Sequence, residues 1–343
     1  MTDAIVLGGT AGVGRAIVDA LVARGMTVGV VARGQDRLDQ LKSDYLKGRI
    51  RTAAADVGDA DALREAINTL CPTGAPRVWV NCAMITAFSR FEQMTVEEFE
   101  KIVRTTFLGQ VNGTREALRL MGSGNIVHIG SGLAYRPVPG QSAYVASKHA
   151  INGFVGSVRS EIMQTRPDLH LSLVQLPAMN TPQFGWARNR LDMAPQPAPP
   201  VYHPQVAAEA VLKAIDGNLR EVLVGKSVLK LMFGDMALPG YIDRRLSRNG
   251  IEMQKSDVPA WARPEEDNLF APVDHPSSAT GAFDGEISET AMTVDSDRAR
   301  KVLLGGIVAA AFGIGALAAS AAVTASRRRP TSLPHWEQRR LNK

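Results

Sequence analysis

The chain has 343 residues, 45% of them hydrophobic, which excludes a disordered polymer and leaves ample room for a core. Its two cysteines, Cys71 and Cys82, exclude a disulfide framework and lack metal-ligand spacing, as suits a reducing compartment. The net charge is only +5 and no zinc-finger or nucleic-acid motif accompanies it, so the basic excess fits a phosphate group or anionic lipid better than DNA.

In chain order, Ala4-Ile5-Val6-Leu7 reads as a short buried strand running directly into Gly8-Gly9-Thr10-Ala11-Gly12-Val13-Gly14, after which Arg15 to Arg24 has helical periodicity. In a strand, loop and helix of this order, Gly8 permits a tight turn and Gly12 lets backbone amides approach a pyrophosphate. Gly14 allows the helix to pack closely on the strand. Thr10 and Val13 complete the expected coenzyme contacts of the loop. The next strand, Thr27 to Val31, ends in Ala32-Arg33. With no carboxylate there for a ribose 2′-hydroxyl and an arginine suited to a 2′-phosphate, NADP(H) is expected rather than NAD(H). The alternative is that Arg33 is a solvated loop residue.

Strands alternating with helices predict an α/β doubly wound parallel sheet, a Rossmann fold, with ligands outside the carboxyl ends of the strands. Helices are expected from about Val96 to Met121 and from Ala143 to Gln164, apolar on more than one face. The second of these carries Tyr144 and Lys148, one turn apart on a shared face. A free phenol has a pKa near ~10, and a neighbouring ammonium favours the phenolate, so the pair suits proton transfer at an alcohol or carbonyl. Ser131, after the apolar run Asn125 to Ile129, is placed to hydrogen-bond the oxygen where charge develops.

Together these residues resemble the short-chain dehydrogenase/reductase superfamily over roughly residues 3 to 250. Gly8, Gly12 and Gly14 match its glycine pattern, and Ser131, Tyr144 and Lys148 match its catalytic spacing. The resemblance implies an adenine contact at Asp56-Val57, a coenzyme segment at Asn81-Cys82-Ala83-Met84, and a nicotinamide contact at Pro177 and Thr181. It also implies that Lys148 holds the ribose and lowers the Tyr144 pKa, and that the two long helices pair into a homodimer. Two departures stand out. Thr106 occupies the position of an Asn that supports a water relay to the lysine, and Met84 and Ala178 replace glycines near the nicotinamide pocket. A bacterial branch reads similarly, with Asn-x-Ala-Met and Thr-x-Leu-Gly segments and no assigned substrate.

The lid expected between Met179 and Tyr202 carries Phe184, Trp186, Leu191 and Met193, which either face an apolar substrate or pack the lid down. Arg188-Asn189-Arg190 reads as a solvated face. Residues 1–250 are therefore expected to form an NADP-binding catalytic domain, followed by an acidic, largely disordered linker at 251–300. Val302 to Ser326 holds no charged residue, which exceeds the roughly 20 residues needed to cross a bilayer, so 301–327 is expected as a transmembrane helix and 328–343 as a basic tail. That arrangement anchors a cytoplasmic catalytic domain to the membrane, although the tail's arginines favour the opposite orientation by the positive-inside rule.

The function expected is hydride transfer between NADP(H) and the carbonyl or alcohol carbon of a small hydrophobic substrate. The alternatives are a catalytically idle NADP-binding sensor or membrane scaffold, and an epimerase or dehydratase with a tightly held coenzyme.

Overall fold

The computed structural model describes residues 1–262, 266–302 and 304–306. Met1–Ser296 form one compact unit. Its first strand, β1 (Ala4–Leu7), is wholly buried and apolar, as a parallel strand covered on both faces must be. The chain then alternates α1 (Gly12–Ala23), β2 (Val28–Ala32), α2 (Gln35–Ser43), β3 (Ile50–Ala54), α3 (Ala60–Leu70) and β4 (Val78–Asn81). After α4 (Val96–Val103) and α5 (Gly109–Leu120) come β5 (Gly124–Ile129), α6 (Ser142–Thr165), β6 (Leu169–Gln175), α7 (Pro204–Asp216) and β7 (Glu221–Val224). A helical cap, α8 (Gly225–Ala237) and α9 (Pro239–Asn249), precedes the last sheet strand, β8 (Thr293–Asp295).

The eight strands lie in the order β8-β7-β6-β5-β4-β1-β2-β3, with β8 antiparallel to β7 and the rest parallel. Strand order reverses between β1 and β4, where Leu7 lies opposite Asn81. Helices α1, α2 and α7 cover one face of the sheet and α3, α5 and α6 the other, each over its own apolar cluster. The Rossmann α/β expectation holds.

Local chemistry sets the helix starts. Asp59 caps α3 by accepting from the amides of Asp61 and Ala62, and Thr95 and Glu98 form a reciprocal capping box on α4. No side chain caps α1, which leaves its first-turn amides for another partner.

Two expectations change here. The helix read from Val96 to Met121 is interrupted by a π-helical turn, Arg104–Leu108, which separates α4 from α5. Residues 251–262 and 266–296, read as part of an acidic linker, are ordered against the domain. Lys255–Pro259 pairs with Met193–Pro195, Ile287–Ser288 pairs with Val201–Tyr202, and β8 extends the main sheet, while Leu269 and Ser296 are fully buried. Composition misled because this stretch buries few side chains and is held mainly through its backbone, which composition does not report. The expected transmembrane helix, beyond its first few residues, and the basic tail lie outside the described residues. Among the described residues, no helix is long and apolar enough to cross a membrane.

Gly124, at the start of β5, has φ +107 and would place a Cβ 2.3 Å from the carbonyl oxygen of Arg77. Gly124→Ala is expected to cost about 1–3 kcal/mol, read as a lower denaturation midpoint, without changing ligand binding at the distant cleft.

Candidate active site

The carboxyl ends of the strands open into a cleft of about 610 Å³. Its floor is built by three segments. Ser131 follows β5, and its hydroxyl accepts from the amide of Leu133 at 3.1 Å, capping the short turn Gly132–Ala134. Tyr144 and Lys148 stand on the first turns of α6, as their spacing predicted. The Ser131 hydroxyl lies close enough to the Tyr144 phenol to favour its ionised form. Lys148 donates from Nζ to the carbonyl of Ile129 at 2.7 Å, and the ammonium lies 5.4 Å from the centre of the Tyr144 ring. The structure therefore brings all three residues together.

The electrostatics differ from the expectation. Burial is the largest influence on both groups, and it favours their neutral forms. It pushes the Tyr144 phenol up to about 12, against the lowering effect of the Ser131 hydroxyl. It holds Lys148 down to about 8, with the neighbouring Cys82 acting in the opposite sense. The expected lowering of the Tyr144 pKa by Lys148 is thus overridden by desolvation. Cys82 is itself buried, and burial pushes its thiol up to about 12, so it is a neutral wall residue.

A second set of polar groups supports the floor from behind. Gln175, at the end of β6, accepts from the Ser131 amide at 2.8 Å and donates to Asn152 on α6 and to Glu221 on β7. A Cβ on Gly130 would lie 2.2 Å from the Gln175 amide oxygen, so this contact requires glycine. Glu221 also accepts from Tyr135 and, at the end of β8, from Ser296. The sequence signal for Gln175 was a polar residue inside the apolar run Leu171 to Leu176, and the reading above passed over it.

At the other end, Gly8, Thr10, Gly12, Val13 and Gly14 line the cleft. Gly8 has φ +85, and a Cβ there would fall 2.6 Å from the Ala83 backbone; one on Gly14 would lie 2.0 Å from the Gly8 carbonyl. The loop is therefore a backbone surface with no room for side chains, as close approach by a phosphate group requires. Asp56, Val57, Ala83, Met84, Pro177, Ala178 and Thr181 line the same cleft. Asp56 is fixed by Lys101 at 2.6 Å and by the amide of Gly58 at 2.8 Å. Arg33 and Arg37 both border this end, and no ion pair to either is found among the described residues. Burial lowers the pKa of each; Asp56 opposes this for Arg33, and at Arg37 repulsion from Arg33 is offset in part by Asp274. Among the described residues the Nε of Arg37 is buried without a partner.

Two expected site residues point elsewhere. Asn81 is buried inside the sheet, accepting from Trp79 at 3.0 Å and lying within hydrogen-bonding distance of Thr114 and His128, so it braces the interior rather than touching the cleft. Burial holds His128 down to about 3, leaving it neutral. Thr106 spends its hydroxyl on Ile85, accepting from the amide at 3.1 Å and donating to the carbonyl at 2.9 Å. The neighbouring Thr105 lines the cleft, and among the described residues its buried hydroxyl has no partner. The π turn at Arg104–Leu108 places the two threonines in these different settings.

Arg188 and Arg190 are not a solvated face. Both clamp the buried carboxylate of Glu98, which also closes the α4 capping box, because a buried acid needs opposite charge. Phe184 and Trp186 line the cleft, whereas Leu191 is buried beside Phe88 and Ala187, and Met193 pairs in a small sheet, so the expected lid divides between the two roles proposed for it. Val138, Leu231, Ile242, Leu246 and Met253 line the outer half of the cleft, with Arg136, Lys230 and Arg245 beside them.

A profile described as short chain dehydrogenase matches residues 2–190. The chain belongs to the short-chain dehydrogenase family. Among its relatives is an uncharacterized oxidoreductase, YxnA, of Bacillus subtilis (strain 168), 28% identical over 277 residues covering 78% of this chain and 77% of that protein. The 3-ketodihydrosphingosine reductase of Mus musculus is 28% identical over 192 residues, 52% of this chain and 56% of the relative. A short-chain dehydrogenase structure from Streptomyces avermitilis superposes with a TM-score of 0.61 at 25% identity, covering 73% of this chain and 96% of that one. An alcohol dehydrogenase from the archaeon Thermococcus sibiricus, solved with 5-hydroxy-NADP, shares the fold at 24% identity and a TM-score of 0.55, covering 65% and 95% respectively. Membership makes the protein an oxidoreductase that uses a nicotinamide coenzyme.

If the Thr106 hydroxyl acts on Ile85 rather than on a proton path, Thr106→Val should lower stability by about 1–3 kcal/mol by orphaning the Ile85 groups, and Thr106→Ser should restore it. Turnover measured on folded Thr106→Ser protein is expected to match the wild type.

Proposed function

We propose that the protein is an NADP(H)-dependent oxidoreductase that reduces the carbonyl of a small hydrophobic substrate, with Tyr144 as the proton donor. The observation that carries this reading is the convergence of the Ser131 hydroxyl, the Tyr144 phenol and the Lys148 ammonium on one buried floor. That floor separates a glycine-lined dinucleotide half from the outer half. A nicotinamide bound there would supply or accept a hydride. Ser131 would donate to the substrate oxygen as charge develops on it, and Tyr144 would deliver the proton. Lys148, cationic below about pH 8, would stabilise the phenolate left behind.

A phenol pushed up to about 12 stays protonated through the neutral range, which favours reduction over oxidation. Arg33 and Arg37 support NADP(H), since together they suit a 2′-phosphate. Relatives that reduce 3-ketodihydrosphingosine, a hydrophobic ketone, support an apolar substrate.

Titration with NADPH and NADH, followed by reduction assays across hydrophobic ketones, tests this reading. Tyr144→Phe should cut turnover by about a hundred- to ten-thousandfold with NADPH affinity unchanged. Arg33→Ala should weaken NADPH by roughly ten- to a hundredfold while sparing NADH. For the wild type, the reduction rate should fall as pH rises past about 8, because Lys148 then loses its charge. Tight NADPH binding with no Tyr144-dependent turnover would instead favour the sensor.

For the quaternary and cellular setting we keep the readings drawn from the residues. The outer face of α6, where Gly153 and Gly156 have nothing within 4 Å, would pair two copies into a homodimer. The charge-free stretch from Val302 would anchor a cytoplasmic domain to the membrane. Light scattering should give a dimer mass for residues 1–296, and only the full-length chain should float with lipid vesicles; a monomer, or a full-length chain that stays unbound, would contradict them.

A further inference from the structure

Asp267 to Gly281 cross the mouth of the dinucleotide half of the cleft. The segment is tied down at one end by Asp267, whose carboxylate accepts from Arg188 at 2.7 Å, and by the amide of Asn268, which donates to Trp186 at 2.9 Å. Arg33 donates to the carbonyls of Asn268 and Leu269, the latter at 3.2 Å. Farther along, the ring of His275 meets Trp186 at 5.2 Å. Ser277 then donates to the Thr10 carbonyl at 2.8 Å and accepts from Arg15 at 2.8 Å. The carbonyl of Ser278 accepts from the Gly12 amide at 2.8 Å, so the strap touches the glycine loop itself. At the far end, Gly281 donates to the Asn180 carbonyl at 3.2 Å and lies so close to Thr181 that a Cβ would fall 2.4 Å from its carbonyl oxygen.

The strap borders the cavity of about 610 Å³ through Asn268 and lies along its rim on Thr10, Gly12 and Asn180. Leu269 and Val273 are buried and hold the first part of the segment, whereas beyond Val273 the anchors at the cleft rim are single hydrogen bonds and close contacts. Asn268 lines the cleft, and its amide oxygen is buried with no hydrogen-bond partner among the described residues. A buried acceptor left without a donor is unfavourable, and this residue stands beside Arg33 at the dinucleotide end of the cleft.

We propose that Asn268 is a coenzyme-binding residue, accepting from an N–H or O–H of the adenosine half, and that residues 274–281, beyond the buried Leu269 and Val273, form a roof over the glycine loop that must lift for coenzyme exchange. This rests on the dinucleotide reading above. The roof couples the carboxyl-terminal segment to the rate at which coenzyme enters and leaves. Arg33 serves both sides, since it binds the strap's carbonyls and borders the phosphate site.

The test uses the full-length chain, with NADPH fluorescence to measure affinity and rapid displacement to measure release. Asn268→Ala should weaken NADPH by about tenfold without moving the thermal unfolding of coenzyme-free protein, a separation that a merely structural role would not give. Ser277→Ala should speed NADPH release by about fivefold by loosening the roof. In the wild type, saturating NADPH should slow amide exchange across residues 274–281. Wild-type affinity in Asn268→Ala, together with roof amides whose exchange ignores NADPH, would overturn the proposal. A wild-type chain that binds neither NADPH nor NADH would instead sink the dinucleotide reading, and the roof with it.

Discussion

Everything in the cleft depends on how closely the backbones approach where strand order reverses between β1 and β4. Gly8 and Gly14 have no side chains there because there is no volume for them: one would strike Ala83 and the other the Gly8 carbonyl. This contact sets the turn out of β1, the entry angle of α1 and the distance between the glycine loop and the segment after β4. The ends of β1, β4, β5 and β6 then share one rim, and residues far apart in the chain face one another across it. Without that approach, Ser131, Tyr144 and Lys148 could still assemble on their own side, but the phosphate-binding surface would not stand opposite them.

A second constraint follows from burial. The domain hides several groups that would be charged in water, and each is either neutralised or held by a partner. His128 becomes neutral, Lys148 leans on a backbone carbonyl, and Glu98 draws in two arginines from the lid. Desolvation acts on Tyr144 and Lys148 in the same sense, keeping the phenol protonated and making the ammonium easier to deprotonate. Glu98 also works as a hub. It caps α4, fixes Arg188 and Arg190, and through Arg188 reaches Asp267 at the start of the strap. Arg136 does similar work at the substrate end, where its ion pairs with Asp235 and Asp243 tie α8 and α9 to the turn after Ser131.

The two halves of the cleft are therefore covered by different parts of the chain. The helical cap lines the outer half through Leu231, Ile242 and Leu246, and the carboxyl-terminal strap borders the glycine-loop half through Asn268, Ser277 and Ser278. The covers meet the domain through separate anchors, so substrate and coenzyme need not exchange by the same motion.

Local residue choice was enough to read the fold and the floor. Buried β-branched strands, a glycine loop at a strand end, and Tyr144 and Lys148 one turn apart are short-range patterns, and short-range patterns survive as sequence. Thr106, Asn81 and Arg188 were misread because each is defined by a partner far away: Ile85 across the π turn, His128 on a neighbouring strand, Glu98 at the start of α4. The same holds for Gln175, whose role exists only where β6 meets Ser131. Residues 251–262 and 266–296 show the limit most plainly. Their acidic, proline-rich composition matches that of a free linker, yet backbone hydrogen bonds and a few buried contacts such as Leu269 pin them across the cleft. The sequence by itself determined the sheet, the glycine loop and the grouping of Tyr144 with Lys148, because those depend on neighbours along the chain. Only the tertiary structure decided the direction of the pKa shifts, the pairing of buried charge and the path of the strap, because those depend on which distant groups exclude water from one another.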